Sequence, residues 1–237
     1  MRRFEELDWQ STPIGEISLR RRREPALDVD VYEVRLDEDF LMSSLFTVAE
    51  VALADLGLAA ARGDALDVVV GGLGLGCTAR AALADQRVRS LVVVEALPAV
   101  IGWHVRELLP LGADLNADPR CSLVEGDFFA RVAAGEPFPP QEVDVVLLDV
   151  DHSPRHVLHP SHAPFYEVAG LQRLRERLRP GGVFALWSDD PPDDDFLARA
   201  GRVFAAAEAV VVPFANHLTG GTSSNTVYVC TLDTDTP

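Results

Sequence analysis

The chain shows two regimes of apolar patterning. Over residues 14–36 apolar and polar side chains alternate twice, first with Ile14, Ile17 and Leu19, then with Val29, Val31, Tyr32, Val34 and Leu36. Glu24-Pro25 separates the two runs. A period of two turns alternate side chains to one face of a strand, so this segment predicts a β-hairpin. From Leu41 to Ala61 the period becomes helical, with Leu45, Val48, Ala49, Val51, Ala52 and Leu56 on one side and Arg62-Gly63 as the stop.

From residue 66 onward short, wholly apolar, β-branched runs alternate with helical stretches. The runs cover 66–70, 91–94, 122–124, 143–148, 183–187, 209–214 and 226–230. Strands buried on both faces have this composition, and their alternation with helices requires crossover connections. The pattern predicts an α/β fold: a doubly wound, Rossmann-like, seven-stranded, mostly parallel sheet over residues 41–237, after a small N-terminal β-hairpin region over residues 1–40.

Composition narrows the partners. The 237 residues are 48% hydrophobic, which suits one buried core, and 37 acidic against 21 basic side chains give a net charge of −16. That field repels nucleic acid, so a small-molecule substrate is expected. Arg20-Arg21-Arg22-Arg23, the one basic run, reads as a solvated strand end in preference to a phosphate-binding patch. Cys77, Cys121 and Cys230 are far apart, the signature of buried thiols in a reducing compartment. No stretch approaches a membrane span and the first residues turn acidic at once, so a cytoplasmic location without membrane partners is expected. Whether the hairpin supports a homodimer stays open.

Candidate chemistry gathers at the strand ends. Gly71-Gly72-Leu73-Gly74-Leu75-Gly76 follows the first core strand and precedes a helix, where glycines let the backbone approach a ligand and helix N–H groups are free. The next strand ends in Glu95, placed to take ribose hydroxyls. The third ends in Glu125-Gly126-Asp127-Phe128, where Asp127 either accepts from an adenine amino group or caps a helix. The fourth ends in Asp149, and ligands of open α/β sheets bind outside such ends. Gly71, Gly72, Gly74, Leu75, Gly76, Glu95, Asp127 and Asp149 therefore form a candidate nucleoside site.

With these motifs, residues from about 66 to 232 resemble the class I S-adenosylmethionine-dependent methyltransferase fold; Arg179-Pro180-Gly181-Gly182 is similar to its turn before the fifth strand. The hairpin, Asp37-Glu38-Asp39-Phe40, and Asp149-Val150-Asp151-His152-Ser153-Pro154 followed by Phe165-Tyr166 resemble the spermidine synthase (polyamine aminopropyltransferase) branch. The resemblance implies that Asp149 opens an Asp-x-x-Asp motif and serves as base. His152 stands at its second acidic position, with Asp151 shifted by one. Leu75 stands where that branch has an Asp favouring decarboxylated S-adenosylmethionine, and Leu41-Met42-Ser43-Ser44 where it has a Tyr/Gln/Glu-containing, amine-contacting stretch.

These departures favour ordinary S-adenosylmethionine and methyl transfer to a small molecule, with Asp149 and His152 catalytic. Aminopropyl transfer from decarboxylated S-adenosylmethionine is the alternative, and a non-catalytic nucleoside-binding protein the second. Asp151, Phe165 and Tyr166 are expected to contact the acceptor from a loop that closes as a lid. His152, His156, His159 and His162 crowd that loop, but their spacing and the interleaved prolines do not match a metal site, so no metal is expected.

Overall fold

The computed structural model describes residues 4–12, 15–139 and 141–234. Ile14, Pro140 and residues 235–237 of the tail, which the sequence suggests is frayed, lie outside the described residues.

The N-terminal region is larger than a hairpin. Strands β1 (Phe4–Thr12), β2 (Gly15–Glu24), β3 (Val29–Leu36) and β4 (Asp39–Ser43) form an antiparallel sheet in that order. Strand β1 escapes the sequence pattern because it lies at an edge, with Phe4 and Trp9 about half exposed and Glu5, Glu6 and Asp8 between them. The arginine run of β2 is neutralised across the sheet. Arg21 meets Glu5 at 2.6 Å, Arg22 meets Glu24 and Glu33 at 2.6 Å each, Arg20 faces Glu6 at 3.5 Å and Arg23 pairs with Asp28 and Asp30. The run is thus held in ion pairs, with Glu5, Glu6, Glu33 and Asp30 reached across strands.

Helix α1 is Val48–Ala60, seven residues later than the apolar spacing suggests, because Asp39–Ser43 extends the sheet across the expected boundary at residues 40 and 41. Beyond it the chain alternates as anticipated. Strands β5 (Leu66–Gly71), β6 (Val88–Glu95), β7 (Cys121–Glu125), β8 (Val143–Leu148), β9 (Leu178–Ser188), β10 (Ala206–Asn216) and β11 (Gly221–Thr231) build one sheet of order β10-β11-β9-β8-β5-β6-β7. The five strands from β9 to β7 are parallel, and β11 runs antiparallel to both its neighbours. Pro213 sits on the edge strand β10, where its missing N–H breaks no interior ladder.

Each central strand is apolar on both faces. Val68, Val70, Val145 and Leu147 pack toward α1, α2 (Cys77–Ala84) and α3 (Pro98–Val105), with α4 (Gly112–Ala117) on the same side. Val69, Val146 and Leu148 pack toward α5 (Phe128–Ala134), a 3-10 turn at Pro160–Tyr166, α6 (Val168–Arg175) and α7 (Asp194–Ala200). This is a doubly wound sheet whose order reverses between β5 and β8. No helix among the described residues is long and apolar enough to cross a membrane.

The amino ends of these strands are clamped by charge. Asp67, 2% exposed, accepts from Ser90 Oγ at 2.6 Å, Arg179 Nη2 at 2.9 Å and the Arg89 guanidinium, while Arg179 also reaches Asp144 at 2.6 Å. Burial alone would raise the Asp67 carboxyl, but the hydrogen bonds from Arg89, Ser90 and Arg179 outweigh it and hold the group down at about 2. Its contribution is therefore complete above the ordinary aspartate range and lost as pH falls toward about 2. Asp67→Ala should lower stability at neutral pH by about 1.5–3 kcal/mol, the range for hydrogen bonds to charged groups. Urea unfolding should show the gap to the parent closing as pH falls to 3, and a gap independent of pH would refute the assignment.

Candidate active site

The crevice lies at the opposite, carboxyl edge of the sheet, above the reversal between β5 and β8. The Gly72 N–H donates to the Val94 carbonyl at 2.9 Å, continuing the strand. Its φ is +93°, and a Cβ there would sit 2.2 Å from the Asp149 carbonyl oxygen, so only glycine allows β5 to turn this close to β8. Gly76, φ +88°, is the residue before α2, and its left-handed conformation aims that helix's amino end back at the loop.

Glu95 is nearly buried, with Oε2 accepting from the Leu73 N–H at 2.9 Å and Oε1 from the Leu97 N–H at 2.8 Å. Burial pushes its carboxyl above the ordinary value, and the amides of Leu73, Leu97, Gly74 and Ala96 pull it back. Asp127 is exposed and caps α5, its Oδ1 accepting from the Ala130 N–H at 3.0 Å. Both alternatives for Asp127 are thus compatible, since its second oxygen is free of this bond. Leu75 is buried within the apolar cluster beneath the loop, so its side chain presents no charge to a ligand.

Asp149 accepts from Thr78 Oγ1 at 2.7 Å, and the same hydroxyl lies 3.5 Å from the Glu50 carbonyl in the first turn of α1. Among the described residues neither carboxylate meets an arginine or histidine, whereas buried Asp67, Asp151 and Asp193 each do. Burial pushes Asp149 up to about 6. Burial, and then the charge of Asp149, push Glu50 higher still, so the pair holds a proton near neutrality. Cys77 lies beside them, hydrogen-bonded to Thr47, and burial drives its thiol up to about 12, so it stays protonated near neutral pH. Glu50 was not legible in the sequence, because an acid between the apolar positions of an amphipathic helix ordinarily belongs to its solvated face.

The loop after Asp149 is tied down by its own side chains. Asp151 is 1% exposed, with Oδ1 accepting from the Leu158 N–H at 2.7 Å and paired with His162 Nδ1 at 2.8 Å, and with Oδ2 accepting from Tyr166 Oη at 2.8 Å. His162 stacks on Phe129 at 3.9 Å, and Phe165 is buried among Phe128, Phe129 and Phe184. Arg155 clamps Asp193 at 2.6 and 2.8 Å, and Asp190 accepts from Ser153 at 2.6 Å and faces His156 at 2.7 Å. Asp151, Phe165 and Tyr166 are therefore a buried brace for this loop, the Asp151 carboxylate and the Tyr166 hydroxyl being hydrogen-bonded inside it. His152 is exposed, its carbonyl accepting from the Asp189 N–H at 2.7 Å. Among the described residues no three His, Cys, Asp or Glu side chains converge as a metal site requires.

No protein-family model matches the sequence. Over 142 residues the chain is 32% identical to polyamine aminopropyltransferase 2 of Pseudomonas aeruginosa; the match takes in 56% of this chain and only 38% of that protein's length. Two solved spermidine synthases superpose on 97% of this chain and 74% of their own, each at 19% identity. One, in complex with the transition-state analogue AdoDATO, gives a TM-score of 0.75, and one from Thermotoga maritima gives 0.74. The chain has the spermidine synthase form of the methyltransferase fold.

The carboxylate pair carries a pH signature. Both folded values lie above the unfolded ones, so the folded chain retains protons that the unfolded chain releases. Stability should therefore fall as pH rises from the ordinary carboxylate range toward about 8. Glu50→Gln should flatten that slope in denaturant titrations at several pH values and raise stability at pH 8. An unchanged slope would remove the pair from consideration.

Proposed function

We propose that this chain, built on the spermidine synthase fold, transfers an aminopropyl group from decarboxylated S-adenosylmethionine to an amine. The observation that carries the reading is the Asp149–Glu50 pair, two carboxylates left without a cation at the edge of the glycine loop. Such a pair suits a ligand that brings its own positive charge, as an amine acceptor and a sulfonium both do. When bound, the decarboxylated donor supplies a sulfonium whose propyl carbon is open to displacement.

A protonated amine has no lone pair, so the acceptor must lose a proton before it attacks. Asp149, raised to about 6, is matched to that task near neutral pH. It takes that proton first, and the freed amine lone pair then forms the new C–N bond as the C–S bond breaks, leaving methylthioadenosine. Glu50 neutralises charge next to it, a part the Asp-x-x-Asp pattern gives to the position held here by His152. The adenosine would rest on the Gly72–Gly76 backbone, with Glu95 toward the ribose and Asp127 toward the adenine.

Methyl transfer, which the substitutions at Leu75 and His152 favour on sequence, fares less well here. A methyl acceptor need not be cationic, and the relative and the solved neighbours are aminopropyltransferases. Leu75 still leaves a carboxylate-bearing donor unrepelled, which keeps methyl transfer as the second reading. Incubation with each donor and a panel of diamines, read by mass spectrometry, separates them, because only the first reaction lengthens the acceptor by a three-carbon amine. Asp149→Asn should slow that product about 10²–10⁴-fold with donor affinity little changed. Methylated products, or full turnover by the Asn variant, would overturn the proposal.

A further inference from the structure

The glycine loop rests on a side chain that the sequence motifs do not include. His104, near the end of α3, is fully buried, and its Nε2 lies 3.0 Å from the Gly74 carbonyl oxygen. Its Nδ1 is buried with no hydrogen-bond partner. A carbonyl oxygen only accepts, so Nε2 carries the proton and Nδ1 is a bare acceptor. The ring is neutral, in keeping with burial that pulls His104 below the ordinary histidine range.

A buried, unsatisfied ring nitrogen costs stability that an apolar side chain of similar volume would not. Packing alone thus gives no reason for histidine here, and the bond to Gly74 does. Gly74 has φ +47°, and the same ring occupies the space beside Gly76, where a Cβ would lie 2.8 Å from His104 Cε1. One imidazole therefore touches the loop at two left-handed glycines. Because C=O and N–H of a trans peptide point opposite ways, turning the Gly74 carbonyl onto His104 turns the Leu75 N–H away from α3.

The ring has firm backing. The His104 carbonyl accepts from Asn116 Nδ2 at 2.9 Å and from the Glu107 N–H at 2.9 Å. The adjacent Trp103 donates Nε1 to Asp8 of β1 at 2.6 Å, and Arg106 reaches the same carboxylate at 2.6 Å. The brace thus runs from the loop through α3 to the N-terminal sheet.

We propose that His104 is a positioning residue, holding the loop through the Nε2–H bond to the Gly74 carbonyl in the shape that receives an adenosyl group. Its functional consequence rests on the adenosyl reading of the loop; the brace itself does not. The test compares the full chain with His104→Leu and His104→Gln by thermal melting, by hydrogen exchange of the Leu73–Gly76 amides without ligand, and by calorimetry with 5′-methylthioadenosine.

The Leu variant should melt at or above the parent Tm, exchange these amides about tenfold faster and bind about tenfold more weakly, the loss of one buried hydrogen bond. Gln, which restores an N–H donor, should recover both. Should Leu fail to fold, His104→Asn, whose amide is too short to reach Gly74, takes its place with the same expectation. Parent-like exchange and affinity in the Leu or Asn variant, or no recovery in Gln, would overturn the proposal. A parent that binds no nucleoside while the exchange differences persist would instead strike down the adenosyl reading and leave the brace standing.

Discussion

The carboxyl edge depends on how closely Gly72 passes Asp149. Strands β5 and β8 are hydrogen-bonded neighbours, and the Asp149 N–H continues their ladder by donating to the Gly71 carbonyl at 2.8 Å. Any side chain at Gly72 would collide with the Asp149 backbone, so the turn into the glycine loop and the placement of the Asp149 carboxylate are a single geometric event. Once that turn is made, α2 must start beside Asp149, which brings Thr78 within 2.7 Å of its carboxylate. Helix α1, packed on α2, then has nowhere to put its first turn but next to the same group.

The two ends of the sheet treat charge in opposite ways. At the amino ends, Asp67 and Asp144 share Arg179, Asp67 is also held by Arg89, and both Asp67 oxygens have a cationic partner. At the carboxyl ends, Glu50 and Asp149 are held together with no counterion among the described residues, so the fold carries a cost there that a protonated or cation-bound state relieves. A paired acid at one end stabilises the scaffold, and an unpaired one at the other is available for chemistry.

The segment after Asp149 shows how a run of polar and aromatic residues can be structural in the middle of a site. Asp151, His162 and Tyr166 satisfy one another, and Phe129 and Phe165 exclude water around them. The segment is a packed strap over α5 and α7, tied down by Arg155 and Asp190, with His152 exposed.

Much of this was written locally. The seven strands, the glycine loop and the acids at three strand ends were legible because a strand buried on both faces needs an unbroken apolar run, and Val143–Leu148 has the same ends in the sequence pattern and in the structure. The sequence by itself therefore determined the sheet, the crevice and Asp149 within it. Tertiary structure alone decided that Asp39–Ser43 pairs with β3 instead of starting a helix, and that Asp151, Phe165 and Tyr166 turn inward. It also decided that Glu50 and His104, remote in sequence from Asp149 and Gly74, stand against them. Apolar periodicity reports which face of an element is buried, whereas the partner a polar atom meets depends on how separate elements close on one another, and that closure has no local signature.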